Sequence, residues 1–451
     1  MIIRGGLVAL PGEAHPVMID IRVDKGMIVE LGFIPDDKIA DDDVVINARG
    51  KFVMPGGIDP HVHFKDPGFT YQEDFLTGTS FAASGGITTV IDMPCTSIPP
   101  VTNRENLKKK LEVVKKKAIT DFGFFGGVSS QSINEGFPEN LIDMADLILG
   151  VKTYLISGME SFGHLDHYLL KTVLQATKFL HVPVLIHAED FSYVNRATEM
   201  EKQIGNAPIN YYNSRPETAE ILAIMNAYLL VREVESDVHI VHVGTASAAS
   251  IIDNDFITGE TCPHYLEFSL DDFEKIGSPL KITPPIKSST NAFDLWGMIR
   301  NRTLSFLASD HATCTKEEKN TGSIWTDYSG NPGSGLLLPF AFSEGYTKNL
   351  IDLPTLVEIT STAAAERYQI DNKKGSIEIG KDADFAIIDP DLNWTIKGED
   401  FLSKGKITPF EGREFVGSVI KTILRGKLIY DHKLGILADP GYGEFITQGA
   451  R

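Results

Sequence analysis

The chain has 451 residues, 42% of them hydrophobic and 23% charged, which is the composition of a folded globular protein rather than a disordered or fibrous one. Its 42 Lys and Arg against 61 Asp and Glu give a formal net charge of −19, which argues against general attraction to nucleic acid or anionic lipid. The length indicates one large domain with a smaller one, because α/β barrels often exceed about 250 residues.

Both ends of the chain predict β-strands. Short alternating apolar runs such as 17–23 occur within residues 1–53, and similar runs such as 383–389 occur towards the C-terminus. A single exposed sheet of about four or five strands is marginal by itself, so we expect residues 1–53 and 375–451 to form one composite β-sandwich domain. The final stretch, 441–451, is interpreted as either a tail or an oligomer contact.

Between these ends, short apolar strands alternate with helical patterns, which is typical of βα units and a parallel sheet. Asn103, followed by an acidic first turn, marks one helix start. Eight such strands predict a (β/α)8 TIM barrel over residues 54–374, with an active site at the C-terminal ends of the strands. The strands are expected to end near His63, Met93, Gly126, Leu155, His187, Val243, Cys262 and Asp310.

No segment predicts a membrane or a nucleic-acid partner. The basic run at 108–117 alternates with apolar residues, which is typical of the solvated face of a helix. Cys95, Cys262 and Cys314 are widely separated and odd in number, so they predict no disulfide framework and favour a reducing compartment. Without a signal-peptide pattern or a long apolar run, we expect a cytoplasmic protein.

The first barrel strand carries the strongest local motif, Asp59-Pro60-His61-Val62-His63. Alternate residues of a strand face the same side, so His61 and His63 can bind one metal ion from the barrel interior. His-x-His is common, however, and a structural pair of histidines is an equally good interpretation of this motif alone.

Equivalent positions on other strands strengthen the metal-site hypothesis. His187, His242 and Asp310 each end an apolar strand, where an ionisable side chain is costly unless it is paired or bound to metal. We therefore prefer a shared metal site at one mouth of the barrel over four unrelated polar strand ends.

Other ionisable residues near these strands are less informative. His239 lies three positions before His242, so strand alternation places them on opposite faces, and we expect His239 to be structural. His264 and His311 can either contact a substrate or hydrogen-bond a loop, and the sequence does not decide.

Lys152 ends the fourth strand, where an ammonium would repel metal ions. Burial lowers the pKa of a lysine, and the neutral amine can react with carbon dioxide to give an anionic carbamate that bridges two metals. From the residues alone, a lysine paired with a carboxylate is the better interpretation.

Together these motifs make the chain resemble the cyclic amidohydrolases, the group that includes dihydroorotase, hydantoinase/dihydropyrimidinase and allantoinase. The resemblance covers essentially the whole length. The matching segments are 54–63, 85–90, the strand bearing Lys152, 187–189, 242–246, 260–266, 309–311 and 375–384.

This resemblance implies two divalent metal ions, usually zinc, bridged by a carbamylated Lys152. His61, His63 and Asp310 would bind one ion, and His187 and His242 the other. The metals would lower the pKa of a shared water so that a bridging hydroxide attacks the amide carbonyl, while Asp310 takes the proton of the water and returns it to the leaving nitrogen. The implied partner is a small cyclic amide, and because relatives are commonly dimers or tetramers we expect a homo-oligomer.

Dihydroorotases differ from this chain at residues that clamp the carboxylate of their substrate. They typically have Arg at the position of Lys65 and Asn at that of Cys95, and they have Asn and His at the positions of Thr283 and Cys314. Lys65 can supply one charge, but it cannot copy the bidentate fork of Arg. Dihydroorotase is therefore the second candidate.

Hydantoinases usually carry a Tyr five residues after the bridging Lys as a donor to the developing oxyanion; here that position is Ser157, which places this activity third. Segments 92–100, 212–216 and 310–314 resemble allantoinases, although those commonly have Asn at the positions of Lys65 and Thr96. The sequence thus favours hydrolysis of allantoin to allantoate.

Four residues are predicted to contact the substrate: Lys65, Thr283, Asn331 and Gly333. Segment 331–335 is also consistent with a flexible connection. A non-catalytic scaffold is the alternative of another class, and it is disfavoured because all six positions for metal ligands hold ligand-type residues.

Overall fold

The computed structural model describes residues 1–449, which contain twenty strands. The first part of the chain supplies β1 (Ile2–Val8), β2 (Val17–Asp24), β3 (Met27–Gly32), β4 (Val45–Asn47) and β5 (Phe52–Pro55). The middle supplies β6 (Gly57–Val62), β7 (Ile87–Asp92), β8 (Asp121–Phe124), β9 (Gly126–Gly127), β10 (Val151–Tyr154), β11 (Val184–His187), β12 (Val238–Ile240), β13 (Ile257–Thr261) and β14 (Phe306–Leu307). The last part supplies β15 (Phe385–Asp389), β16 (Trp394–Thr395), β17 (Glu414–Phe415), β18 (Ser418–Leu424), β19 (Lys427–Asp431) and β20 (Gly435–Ile436).

Strands β6–β14 form the predicted (β/α)8 barrel, in which β8 and β9 are two parts of the third barrel strand. Parallel pairing runs through β6-β7-β8 and through β9-β10-β11-β12-β13-β14. The Leu149 N–H donates to Phe124 O at 2.9 Å and joins the two sets. On the other side the His63 N–H donates to His311 O at 2.8 Å, so the first and last strands close the ring. The TIM-barrel prediction is confirmed.

The α-helices pack around the barrel and follow local capping rules. Asp74, Asn103, Asp166 and Asp190 each cap the helix that follows by accepting a backbone N–H, as expected for short polar side chains. None of the helices in the described part of the chain is long and apolar enough to cross a bilayer. They are α1 (Phe75–Ser84), α2 (Arg104–Val114), α3 (Ser130–Ile133), α4 (Glu139–Met144), α5 (His167–Thr177), α6 (Phe191–Ile204), α7 (Pro208–Ser214), α8 (Glu217–Val234), α9 (Ala246–Ala249), α10 (Pro263–Glu267), α11 (Leu270–Ile276), α12 (Asn291–Arg300), α13 (Lys316–Lys319), α14 (Leu337–Phe340), α15 (Leu353–Val357) and α16 (Ala363–Arg367).

Five short 3₁₀ helices and two π-helical segments complete the helical structure of the described residues. The 3₁₀ segments are Asp36–Lys38, Ala145–Leu147, Ser278–Leu280, Ser334–Leu336 and Gly398–Asp400, and the π-helical segments are Ala341–Tyr346 and Glu358–Thr362. One residue of the basic run departs from the predicted solvated face: Lys110 of α2 is buried and paired with Asp92 at the end of β7.

Both ends of the chain join in one nine-stranded sheet, as the β-sandwich prediction requires. Its order is β20-β19-β18-β15-β5-β1-β2-β3, with β4 paired to β1. Antiparallel pairing of β5 with β15 links the early strands to the late ones. The boundaries we assigned to the two domains stay predictions.

A buried cluster of charges ties the composite sheet to the bottom of the barrel. Lys374 Nζ lies 2.6 Å from Asp121, 2.9 Å from Asp382 and 2.7 Å from Asp384. Arg425 also pairs with Asp121. Two cations of the protein itself, Lys374 and Arg425, thus balance most of the charge of the three carboxylates.

Residues 441–449 pack on the barrel of their own chain. The Phe122 N–H donates to Glu444 O at 2.9 Å and the Ile446 N–H donates to Phe122 O at 2.8 Å, so the segment pairs with the start of β8. The Phe445 ring lies 5.2 Å from that of Phe124. The remainder of the predicted tail, residues 450 and 451, lies outside the described residues.

Candidate metal centre and active site

The His-x-His motif of β6 meets Asp310 at the C-terminal mouth of the barrel. Asp310 Oδ1 lies 3.3 Å from His61 Nε2 and 3.4 Å from His63 Nε2, and one ligand atom of each residue lies within 4.8 Å of the others. Asp310 has φ +48°, a left-handed conformation that Asp tolerates better than most residues. The backbone turn after β14 therefore aims the carboxylate at the two imidazoles.

His187 and His242 form the other half of the ligand cluster, the group of predicted metal ligands at this mouth of the barrel. His187 is the last residue of β11, whereas His242 lies two residues beyond β12 and has φ +43°. His187 Nδ1 and His242 Nε2 are 3.0 Å apart. The His61 and His242 rings lie 5.4 Å apart, so the two halves face each other across the mouth.

Lys152 lies in β10 with its amine completely buried. Its Nζ has no hydrogen-bond partner in the described part of the chain and lies 4.7 Å from the centre of the Tyr154 ring. Burial lowers the pKa of Lys152 to about 8, although Cys95 and Asp310 oppose the shift. Within residues 1–449 no carboxylate pairs with this amine, in contrast to the simpler interpretation from the residues alone.

Two glutamates contact ring nitrogens of His61 and His187, and neither has a role predicted from the sequence. Glu260 Oε1 lies 2.6 Å from His61 Nδ1, and Glu189 Oε2 lies 3.0 Å from His187 Nε2. Arg215 Nη1 donates to Glu189 at 2.6 Å. Burial alone would raise the pKa of Glu189, but Arg215 and His187 outweigh it and lower that pKa to about 2.

His239 has the structural role that was expected but not the expected orientation. Its Nδ1 lies 2.7 Å from Thr258 Oγ1 and its Nε2 lies 3.3 Å from Glu260 Oε2, so it faces the same interior as His61. The prediction that His239 and His242 lie on opposite faces was wrong, because β12 ends at Ile240 and the left-handed turn at His242 breaks strand alternation.

The two undecided histidines lie outside the ligand cluster. His311 Nε2 lies 3.1 Å from Glu73 Oε2, and its Nδ1 accepts the N–H groups of Gly333 and Ser334 at 3.3 Å, so it braces loops. His264 is buried edge-on against Tyr265, and burial lowers its pKa to about 4. Neither lines the cavity beside the cluster.

The six ligand-type residues fit a pair of divalent cations. Among the residues that the structure describes, His61 Nε2 and Lys152 Nζ are buried and find no hydrogen-bond partner, which is costly unless a ligand supplies one. His61 and His187 also show the usual arrangement of metal-binding histidines, in which the other ring nitrogen bonds to a carboxylate. The donor set of imidazole, carboxylate and a modifiable amine suits zinc and similar divalent ions.

A cavity of about 350 Å³ opens beside this cluster. Of the four predicted substrate contacts, Thr283 lines it, and its Oγ1 lies 2.6 Å from both Tyr211 Oη and Ser329 Oγ. The lining residues are His63, Thr96, Tyr154, Ile156, Ser157, Gly158, Met159, His187, Arg215, His242, Thr283, Asp310, Ala312, Tyr328, Ser329 and Gly330.

Lys65 does not line the cavity. Its side chain is buried, and its Nζ donates to Gln72 Oε1 and Tyr328 Oη, each at 2.7 Å, and to Thr313 O. Burial lowers the pKa of Lys65 to about 8. The structure therefore places Tyr328 between this amine and the space for a substrate.

Asn331 and Gly333 also lie behind the lining residues. Asn331 is buried, and neither polar atom of its amide has a hydrogen-bond partner within the described residues, while Gly333 bonds to His311 through its N–H. Their contact with a substrate stays a prediction. Instead, the neighbouring Ser329 and Gly330 reach the cavity.

Comparison with known proteins agrees with this architecture. The sequence profile of the amidohydrolase family matches residues 52–429. The chain is 34% identical to an allantoinase of Rubrobacter xylanophilus, over 96% of this chain and 94% of that protein. It is 32% identical to an allantoinase of Enterococcus faecalis, over 97% of both chains.

Solved structures of similar fold include the L-hydantoinase (dihydropyrimidinase) of Arthrobacter aurescens, with a TM-score of 0.93 and 28% identity over 99% of both chains. The dihydropyrimidinase of Brevibacillus agri has a TM-score of 0.90 and 29% identity, over 100% of this chain and 99% of that one. The fold and these similarities define a hydrolase that acts on the C–N bonds of cyclic amides. The chain belongs to the amidohydrolase family.

Proposed function

We propose that the protein hydrolyses allantoin to allantoate with the help of two divalent metal ions. The choice of allantoin over other cyclic amides rests on the charge of the residues that line the cavity. Arg215 is the one Lys or Arg among the described lining residues, and its guanidinium is already bonded to Glu189. The cavity thus offers hydrogen-bonding groups rather than an unpaired cation, which suits the neutral ureido substituent of allantoin.

Dihydroorotate fits this lining less well because it carries a carboxylate. Recognition of a carboxylate usually relies on the bidentate fork of an available Arg. Arg215 is already bonded to Glu189 through Nη1, and the Lys65 amine hydrogen-bonds Tyr328 instead of lining the cavity. Full-length similarity to allantoinases supports the same choice.

A hydantoinase is the second candidate, favoured by the similarity to solved hydantoinase structures. Against it stands Ser157, at the position where hydantoinases usually place a tyrosine. Its Oγ donates to Phe162 O at 2.7 Å and accepts the Met159 N–H at 3.1 Å, so it braces its own loop.

Each residue of the cluster has a role in the proposed reaction. When bound, the metal ions would lower the pKa of a water and polarise the amide carbonyl, and they would be held by His61, His63, Lys152 as its carbamate, His187, His242 and Asp310. The Asp310 carboxylate takes a proton from the attacking water and gives it to the leaving nitrogen. Glu260 and Glu189 keep the rings of His61 and His187 in the orientation that binds metal.

A panel assay tests the proposal. Purified enzyme loaded with zinc is given allantoin, dihydroorotate, hydantoin and dihydrouracil, and kcat/KM is measured for each. We expect allantoin to give the largest value. A larger value for dihydroorotate or hydantoin would overturn the choice of substrate. Asp310→Asn, which changes only one oxygen to nitrogen, controls for contaminating hydrolases.

We also propose a homo-oligomer in a reducing, cytoplasmic compartment. The three cysteines are free, which suits a reducing compartment. Large apolar side chains are exposed on and beside α5 and α8, with Tyr168 78%, Phe179 77% and Leu229 61% exposed. Light scattering on the purified protein would measure the mass of the assembly, and a monomer at all concentrations would contradict the oligomer.

A further inference from the structure

A tyrosine that lines the cavity, Tyr328, has a hydroxyl proton without an acceptor in the described part of the chain. Tyr328 lies in the loop after the last barrel strand and lines the cavity together with Asp310. Its Oη accepts a hydrogen bond from Lys65 Nζ at 2.7 Å, which is its one hydrogen-bond partner within residues 1–449. Because a hydroxyl that accepts one bond can still donate another, its proton is available to a ligand in the cavity.

Lys65 lies beside this phenol, with its Nζ 4.2 Å from the centre of the Tyr328 ring, and within residues 1–449 its hydrogen bonds go to neutral oxygens. Besides Tyr328, its Nζ donates to Gln72 Oε1 and Thr313 O, so all three N–H donors are used. None of the carboxylates in the described chain lies within the 4.0 Å of Lys65 Nζ that would make an ion pair. Hydrogen bonds in series polarise each other, so this amine makes the Tyr328 hydroxyl a stronger donor towards developing negative charge.

The loop holds Tyr328 in place before any ligand binds. Lys319 Nζ bonds to Tyr328 O at 3.0 Å and to Gly330 O at 2.7 Å. Gly330 has φ +139°, and a Cβ there would lie 2.5 Å from Ala312 O and 3.1 Å from Tyr328 Cε1. Only glycine lets the backbone pass this close to the ring, so the hydroxyl is positioned in advance, as a catalytic donor requires.

We propose that Tyr328 is a catalytic residue that donates a hydrogen bond to the carbonyl oxygen of the cyclic amide, and that Lys65 is a positioning residue acting through the Tyr328 hydroxyl. The attacking oxygen forms a bond to the carbonyl carbon while the π electron pair moves onto the carbonyl oxygen. That pair returns as the C–N bond breaks and the nitrogen takes a proton. The phenol keeps its own proton throughout.

This inference rests on cyclic-amide hydrolysis and not on the choice of allantoin. All rates are therefore measured with whichever ring the wild-type enzyme opens fastest in the panel. A different best substrate would overturn the proposed function and leave this inference standing.

Tyr328→Phe is the primary test, because it removes one oxygen and keeps the ring. We expect kcat to fall about 100-fold or more with KM changed less than about threefold, as for loss of a donor to a developing oxyanion. Tyr212→Phe is the matched control, since its hydroxyl bonds to Glu217 outside the cavity, and it should retain wild-type rates.

Tyr154→Phe is the competing variant, because Tyr154 also lines the cavity and its hydroxyl lies 3.1 Å from Cys95 Sγ. An unchanged kcat in Tyr328→Phe, a rise in KM alone, or a large loss of kcat in Tyr154→Phe but not in Tyr328→Phe would overturn the proposal. Thermal unfolding and metal content are recorded for every variant to show that each is folded and loaded.

A double-mutant cycle tests the role of Lys65. If Lys65 acts through the hydroxyl, Lys65→Met should lower kcat in the wild type but have little further effect in Tyr328→Phe. In the Tyr212→Phe background the same change should retain its full effect. Equal effects of Lys65→Met in all three backgrounds would contradict the positioning role. If Lys65→Met does not fold, Lys65→Gln, which also lacks the charge, replaces it in the same cycle.

Discussion

Glu260 and His61 are joined across the barrel interior by a contact of 2.6 Å between Oε1 and Nδ1. This contact fixes the ring so that Nε2 points to Asp310. We expect Glu260→Ala to lower metal affinity about 10- to 100-fold, because the ring loses its orientation. Competition with a chromogenic chelator measures the affinity. Glu260→Gln, which keeps a hydrogen-bond acceptor, should lose less, and equal losses in both variants would contradict this role.

Lys152→Ala should abolish activity, because the alanine cannot form the carbamate that we propose to bridge the metals. Added acetate or propionate is expected to restore part of the rate, since a small carboxylate can occupy the vacated space. Initial rates with increasing carboxylate concentration measure this rescue. Full activity of Lys152→Ala without any addition would refute the proposed bridge.

Removal of metal should inactivate the enzyme without unfolding it. The apolar interior of the barrel does not depend on the ligands, but a metal that binds only the folded state adds about 4 kcal/mol at 1,000 times its Kd. Dialysis against a chelator should therefore abolish hydrolysis and lower the Tm, while zinc restores both. Chelator saturated with zinc is the control. Metal-free protein with unchanged activity would rule out a metal-dependent reaction.

Acid should weaken the link between barrel and sheet at Asp121. Burial alone would raise the pKa of Asp121, but Lys374 and Arg425 outweigh it and hold that pKa below its ordinary value. A depressed carboxyl pKa contributes stability above the ordinary value of about 4 and loses it as the pH falls through the lowered value.

Lys374→Met should therefore move acid unfolding to higher pH, because the buried Asp121 and Asp384 lose the cation that they share. At pH 7 we expect a loss of about 3–5 kcal/mol in the free energy of unfolding, measured in urea. Lys373→Met, a neighbouring exposed lysine, serves as the control. If both variants unfolded at the same pH as the wild type, the cluster would have no stabilising role.

Much of the fold and the grouping of the predicted metal ligands at one mouth of the barrel follow from the sequence, because strand ends carry a strong local signal. His187 ends its strand as predicted, and His61 and His63 alternate on and just after β6. His242 and Asp310 are predicted metal ligands at strand ends, yet they lie two and three residues beyond their strands, in left-handed turns. Short apolar runs do not show where a strand gives way to such a turn.

The supporting residues were harder to predict because they act across long sequence separations. Glu260 reaches His61, and Tyr328 meets Lys65, only once the barrel has closed. Glu189 offered a usable signal, since it lies two residues after His187 in the same short motif. For Lys65, the sequence indicated a positive charge near the site, but it did not indicate the contact between Lys65 and the Tyr328 hydroxyl.

The pairing of β5 with β15 has a consequence for synthesis of the chain. One edge of β5 pairs with β1. The other edge pairs with β15, which the ribosome synthesises only after the entire barrel. Until then, that edge exposes unpaired N–H and C=O groups, which favour association with other nascent chains. Molecular chaperones that shield extended segments should therefore influence the yield of this protein more than that of a barrel whose neighbouring strands are all close in sequence.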